Sequence, residues 1–176
     1  KMLNPIIIVS VALLIPLAII ITYYDVRYRR IPNAFVLATL LSGLAIHIIS
    51  GGLRGGLTSL GGCAFAFILM FVLHVFGAMG AGDVKLFAAI GAVTGASLVL
   101  PTFLMVVLTG GLLAVVSTLR MRMLKATLFR VLQIFMGLLP GWEMPRFAVP
   151  TDRKYTIPYG VAITFGSLIS VTLFHA

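Results

Sequence analysis

Two carboxylates stand where an apolar chain has most reason to exclude them. Asp25 closes the first apolar run, in Tyr23-Tyr24-Asp25, and Asp83 ends Gly80-Ala81-Gly82-Asp83 just ahead of another. The chain has only four acidic residues, so half of them lie at these two junctions. Ionisable groups at membrane depth are costly and by default mark function. Two carboxyls that share a site do not ionise together readily, so the pair holds one proton. The ionised member can then take a proton from water while the protonated member donates to a carbonyl. Such a pair hydrolyses a peptide bond without a metal or a nucleophilic Ser or Cys. Which aspartate carries the proton is open from sequence.

Each aspartate also has a plainer reading. Asp83 follows glycine and precedes an apolar run, which suits a helix N-cap and its dipole. Asp25 sits at a helix C-terminus, where the dipole disfavours it, and Arg27, Arg29 and Arg30 offer an interfacial salt cluster in compensation. One shared role accounts for two carboxylates at matched depth more simply than two separate ones. Gly80 and Gly82, ahead of Asp83, permit positive φ and close backbone approach, so that a substrate strand can lie against it. Lys85 is two residues past Asp83 and so points away from it on a helix, toward a lipid headgroup or a substrate carboxylate. His47 and His74 lie in apolar runs and read first as packed, hydrogen-bonded side chains. His74 also stands near enough to the third helix's inner end to touch the site. The single cysteine, Cys63, reads as a small buried residue, and no Cys-x-x-Cys pair offers a metal site.

The elements that must position these groups follow from composition. The chain is 176 residues long, 61% hydrophobic and 10% charged. Soluble domains are about 25% charged, and several runs here approach the roughly 20 apolar residues of a spanning helix. The expected architecture is all-α, a single integral-membrane domain over 1–176 with spans near 4–24, 34–49, 57–76, 83–94, 98–119 and 159–174. Pro32 suits the first turn of the second helix, and 50–56 is a glycine-rich turn. The stretch 84–119 would reach about 54 Å as one helix, so it must break, best at Thr94-Gly95-Ala96-Ser97. The first run lacks a basic cluster ahead of it and is not expected to be a cleaved signal peptide.

Net charge is +9, and the basic residues fall between apolar runs. That distribution points to topology and anionic lipid before nucleic acid. Alternation places eleven Lys and Arg on one side and only Lys1 and Arg54 on the other. The basic side is expected to be cytoplasmic, with both termini outside. Asp25 and Asp83, 58 positions apart, then share the cytoplasmic ends of helices 1 and 4. The segment 120–156 carries Arg122, Lys125 and Arg130 on one helical face and Leu124, Leu128, Leu132 and Phe135 on the other. It reads as a cytoplasmic amphipathic surface helix between helices 5 and 6, a lipid anchor or a substrate-guiding flap.

The chain resembles the type IV prepilin and preflagellin peptidases, the GxGD-type intramembrane aspartyl proteases. The resemblance rests on Tyr24-Asp25 followed by Arg29-Arg30-Ile31-Pro32-Asn33, on Gly80-Ala81-Gly82-Asp83-Val84-Lys85, and on Ile157-Pro158-Tyr159-Gly160 opening the last helix. It implies that Asp25 and Asp83 are the catalytic pair. Gly80, Gly82, Lys85, Tyr24, Pro32, Asn33, Pro158 and Tyr159 are the residues expected to shape the site or bind substrate. It implies removal of short basic leaders from pilin-like precursors at the cytoplasmic face of a prokaryotic inner membrane, with no cofactor and no metal. The chain looks most like the short form found with tight-adherence (Flp) pili. The extra portion with paired cysteines is not in this sequence, so methylation of the new N-terminus is not expected. The presenilin and signal-peptide-peptidase group shares Tyr-Asp and Gly-x-Gly-Asp but has longer, nine-helix chains. A non-enzymatic proton or ion relay would instead put acidic groups near mid-membrane and show internal repeats.

Overall fold

In the computed structural model, residues 5–28, 30–76, 79–120 and 159–174 are described, and all the regular structure among them is helical. The elements are α1 (Pro5–Tyr28), α2 (Asn33–Val75), α3 (Ala81–Thr94), a 3₁₀ turn (Ala96–Leu98), α4 (Val99–Arg120) and α5 (Tyr159–Phe174). Three helical stretches, Ile8–Tyr28, Asn33–Val75 and Ala96–Val116, are long and apolar enough to cross a membrane. With α5 as a shorter apolar helix, this is the framework of a multi-pass membrane protein. The expected helix over 120–156 lies outside the described residues beyond Arg120. Two compact units are distinguished, 1–110 with 158–176, and 111–157. The described part of the second is the last stretch of α4.

Three expectations need correction. First, α1 does not stop near residue 24 but runs on to Tyr28, so Asp25 lies inside its last turn. Second, 50–56 is not an open turn. It stays helical except at Gly52, whose φ of 57° and ψ of −143° concentrate the break in one residue. A side chain at Gly55 would collide with the His47 carbonyl oxygen, eight residues earlier. No straight helix brings those positions together, so α2 doubles back on itself. Ser50 Oγ donates to the Ile46 carbonyl and Thr58 Oγ1 to the Arg54 carbonyl, which keeps both flanks helical. The two arms reach about 29 Å and about 35 Å at 1.5 Å per residue. Third, α3 starts at Ala81, and Asp83 is its third residue rather than its cap. The break expected at 94–97 falls at Gly95, with φ 76°.

The core is built around α3. Every residue from Leu86 to Thr94 is buried, so this helix is apolar on all faces and must be sheathed. Both arms of α2 supply most of the sheath, with Leu14, Leu17 and Ile21 of α1, Val99 and Val106 of α4 and Ile163 and Val171 of α5 completing the cluster. Glycines set the approach. A Cβ on Gly43 would stand 2.7 Å from Val93 N, and one on Gly62 would strike the Gly91 carbonyl. The last-turn carbonyls of α3, which have no partner within their own helix, are met by α2. Ser59 Oγ donates to the Ala92 carbonyl at 2.8 Å, and His47 Nε2 to the Val93 carbonyl at 3.0 Å. His47 is therefore a packed, hydrogen-bonded side chain, in its Nε2-protonated tautomer.

Gly62→Ala is expected to cost about 1–3 kcal/mol by forcing α2 off α3. Gly61→Ala, whose Cβ would have its nearest neighbour at 3.9 Å, should change stability by less than about 0.5 kcal/mol. Reversible unfolding of the two variants in mixed micelles checks this difference.

Candidate active site

The site lies where three helix ends meet: the last turn of α1, the first turn of α3 and the first turn of α5. Asp25 follows Ile21 by one turn on the buried face of α1. Ile21 is fully buried and Asp25 is only 8% exposed. A carboxylate in that position needs hydrogen-bond donors. The backbone N–H of Gly160 donates to Asp25 Oδ2 at 2.8 Å, from 135 residues further along the chain. The N-terminal end of α5, with its positive dipole end, thus faces the carboxylate that the C-terminus of α1 disfavours. A main-chain donor thus takes part in holding this carboxylate.

Gly160 is the residue that sequence reasoning left out of the site. A Cβ there would lie 2.9 Å from Asp25 Oδ2 and 3.1 Å from Ile21 Cγ2. The signal was present in Pro158-Tyr159-Gly160, where a glycine just inside a helix start marks close approach.

Asp83 reaches back along its own turn. Its Oδ2 accepts the Gly80 N–H at 3.1 Å, and the Asp83 N–H donates to the Gly80 carbonyl at 3.1 Å. This is half of a capping box, since Gly80 has no side chain to return the bond. Asp83 thus supports the helix start from its third position, through Oδ2, and is not itself the N-cap. The same carboxylate lies within electrostatic reach of Asp25 and of the Tyr159 ring. Asp25, Asp83, Gly80, Tyr159 and Gly160 thus form one cluster.

The remaining expected residues frame this cluster. Tyr24 packs on Tyr28 at 5.6 Å and on Phe35 at 5.9 Å between ring centroids, joining the end of α1 to the start of α2. Pro32 is the N-cap of α2 rather than in its first turn, and its carbonyl accepts from the Phe35 N–H at 3.2 Å. Asn33 and Lys85 are exposed. Gly82 packs beside Ile31, where a Cβ would sit 3.6 Å away in ordinary contact, and Gly80 has a φ of −77°. Neither glycine uses the left-handed backbone that the sequence suggested. His74 Nδ1 donates to the Met79 carbonyl at 2.8 Å and holds the turn before Gly80. Pro158 lies outside the described residues. Among the described residues, no group of three or more His, Cys, Asp or Glu side chains could hold a metal ion.

Adding a methyl group at the two glycines should separate them. Gly160→Ala drives a Cβ into Asp25 and should cost about 1–3 kcal/mol. Gly82→Ala should leave folding within about 0.5 kcal/mol of the parent. Thermal melts in detergent measure both.

Comparison with known proteins adds to this geometry. Residues 12–115 match the type IV leader peptidase family, a stretch that includes both aspartates but not α5. The chain is 32% identical over 114 residues to the prepilin leader peptidase/N-methyltransferase of Bacillus subtilis (strain 168). That match covers 63% of this chain and 45% of the relative, so the chain spans about half the length of that curated relative. No solved structure matches.

Proposed function

The chain belongs to the type IV leader peptidase family, and from that premise we propose that it is an intramembrane aspartic endopeptidase working through Asp25 and Asp83. The substrates are pilin-like precursors with short basic leaders, of the kind used in tight-adherence pili. The observation that carries this reading is the approach of two carboxylates, 58 positions apart in sequence, at the first turn of α5. A helix-capping aspartate and an interfacial charge would have no reason to share a site.

The chemistry is general acid–base hydrolysis by one unit. A water between the carboxyls gives a proton to the ionised aspartate as its oxygen bonds to the scissile carbonyl carbon. The protonated aspartate donates to the carbonyl oxygen. The resulting tetrahedral diol collapses: the C–N bond breaks as the departing nitrogen takes a proton from the protonated aspartate, and one diol hydroxyl returns its proton to the ionised one, which restores the pair. The Gly160 N–H donates to one carboxylate and the Gly80 N–H to the other, so each has a main-chain donor. Tyr159, in the first turn of α5, is within electrostatic reach of Asp83.

For topology we favour six crossings, with the two arms of α2 counted separately and both termini outside. The basic residues support it, eleven on the site's side against two on the other. This orientation puts the pair at the cytoplasmic face of an inner membrane. The leader is basic and so is that face, so anionic lipid rather than direct attraction is proposed to hold them together.

Cleavage of a candidate prepilin in membranes tests the pair. Asp25→Asn and Asp83→Asn should each lower the rate by at least about a thousandfold while remaining folded. Asparagine at position 83 keeps an oxygen for the Gly80 N–H, so folding should survive. Retained cleavage in either folded variant would return that aspartate to a structural role.

A further inference from the structure

Between α1 and α5 lies an open groove of about 720 Å³ whose lining does not include Asp25 or Asp83. Its floor and walls include Ile15, Ile19 and Thr22 of α1 and Phe165 and Leu168 of α5, and Arg27 stands at one end. Ile15 is 45% exposed and Ile19 67%, so the stripe is an unfilled apolar surface. Two features are unlike a bare lipid-facing helix. Arg27 is the one charged residue of the lining. The Thr22 hydroxyl is fully buried, yet among the described residues it has no hydrogen-bond partner. A threonine in an apolar helix usually bonds back to a carbonyl three or four residues earlier, as Thr39 and Thr164 do here. A buried hydroxyl without a partner calls for one, and because Thr22 also lines the groove, a rotation about its χ1 turns the hydroxyl toward a ligand seated there.

We propose that this groove binds one anionic glycerophospholipid, its phosphate at Arg27, its acyl ester at Thr22 and its chain along Ile19 and Ile15. Charge and register both argue for it. Arg27 is five residues beyond Thr22, about 7.5 Å along the helix. The ligand must therefore be anionic at one end, carry an acceptor a short step deeper, and be apolar from there on. A phospholipid has that order of groups: phosphate, ester carbonyl, hydrocarbon. Tyr23 and Tyr28, 59% and 52% exposed, flank the Arg27 end as residues of a membrane–water interface do. A headgroup therefore lies at the correct depth. The groove is on the same helix turns as Asp25 but on another face, so the lipid sits beside the pair without entering it.

The test is lipid retention by the full chain in native mass spectrometry, with phosphatidylglycerol and phosphatidylcholine offered separately. The parent should retain one phosphatidylglycerol in preference to phosphatidylcholine. Arg27→Gln should lower phosphatidylglycerol occupancy by about fivefold, the effect of one cation near an anionic surface. Thr22→Val should lower occupancy of both lipids by about fivefold, because the ester is common to them. Thermal melts establish that the variants are folded, and Thr22→Val alone carries the test if Arg27→Gln is not. Equal retention of the two lipids by the parent, or parental retention in the folded variants, overturns the proposal. So does a photoreactive Ile19→p-benzoylphenylalanine variant that captures protein instead of phospholipid in membranes. These readouts involve no cleavage, so they stand apart from the peptidase reading.

Discussion

The burial of the Asp25 carboxylate at the end of an apolar helix is the constraint from which the rest of the site follows. A charge or a bare polar group buried there needs hydrogen-bond donors, and α1 presents its unfavourable dipole end. The fold answers with the first turn of α5, whose Gly160 N–H reaches Asp25 Oδ2. That donor can come so close only because residue 160 has no side chain. α5 must also begin at that point, since its positive end is what the carboxylate needs. Helix α5 is anchored on α4 by a bond from Thr109 Oγ1 to the Ala162 carbonyl and by the Thr102–Ser170 hydroxyl pair. The position of one carboxylate thus depends on packing well beyond the site.

The second carboxylate depends on α3. That helix is buried from Leu86 to Thr94, and its depth is set by glycines that let α2 approach backbone to backbone. Small residues at helix contacts are the usual means of association where lipid removes much of the hydrophobic driving force between helices. Polar side chains then satisfy the carbonyls at the far end of α3, through Ser59 and His47. With its C-terminal end fixed in this way, its first turn presents Asp83 toward Asp25. A helix held at one end by glycine packing and hydrogen bonds thus delivers a carboxylate at the other.

Much of this was legible in the chain. Apolar runs and charge gave the helices, and Gly95 announced its break because a positive φ there ends α3. Tyr24-Asp25 and Gly80 to Asp83 drew attention because carboxylates are rare in such a sequence. Other features were hidden for physical reasons. The doubling of α2 at Gly52 is compressed into one residue, while the sequence shows six glycines from Gly51 to Gly62 and does not say which will bend. The end of α1 was misjudged because a charged residue suggests an exit from the helix, whereas tertiary donors let α1 continue to Tyr28. Gly80 and Gly82 looked like positions of unusual backbone, yet Gly80 is ordinary extended backbone and Gly82 is helical. Gly160 was legible as a point of close approach but not as a hydrogen-bond donor to Asp25, because its contribution is a main-chain N–H.

The central claim is that α1, α3 and α5 gather Asp25 and Asp83 into one site. Its most direct test is proximity in the membrane. Asp25→Cys and Asp83→Cys, introduced together in a Cys63→Ser background, should be joined by a short bismaleimide into one internally bridged chain. Each single variant should only accept the reagent at one end. If both positions label readily but no bridge forms, the two residues belong to separate sites and the account fails.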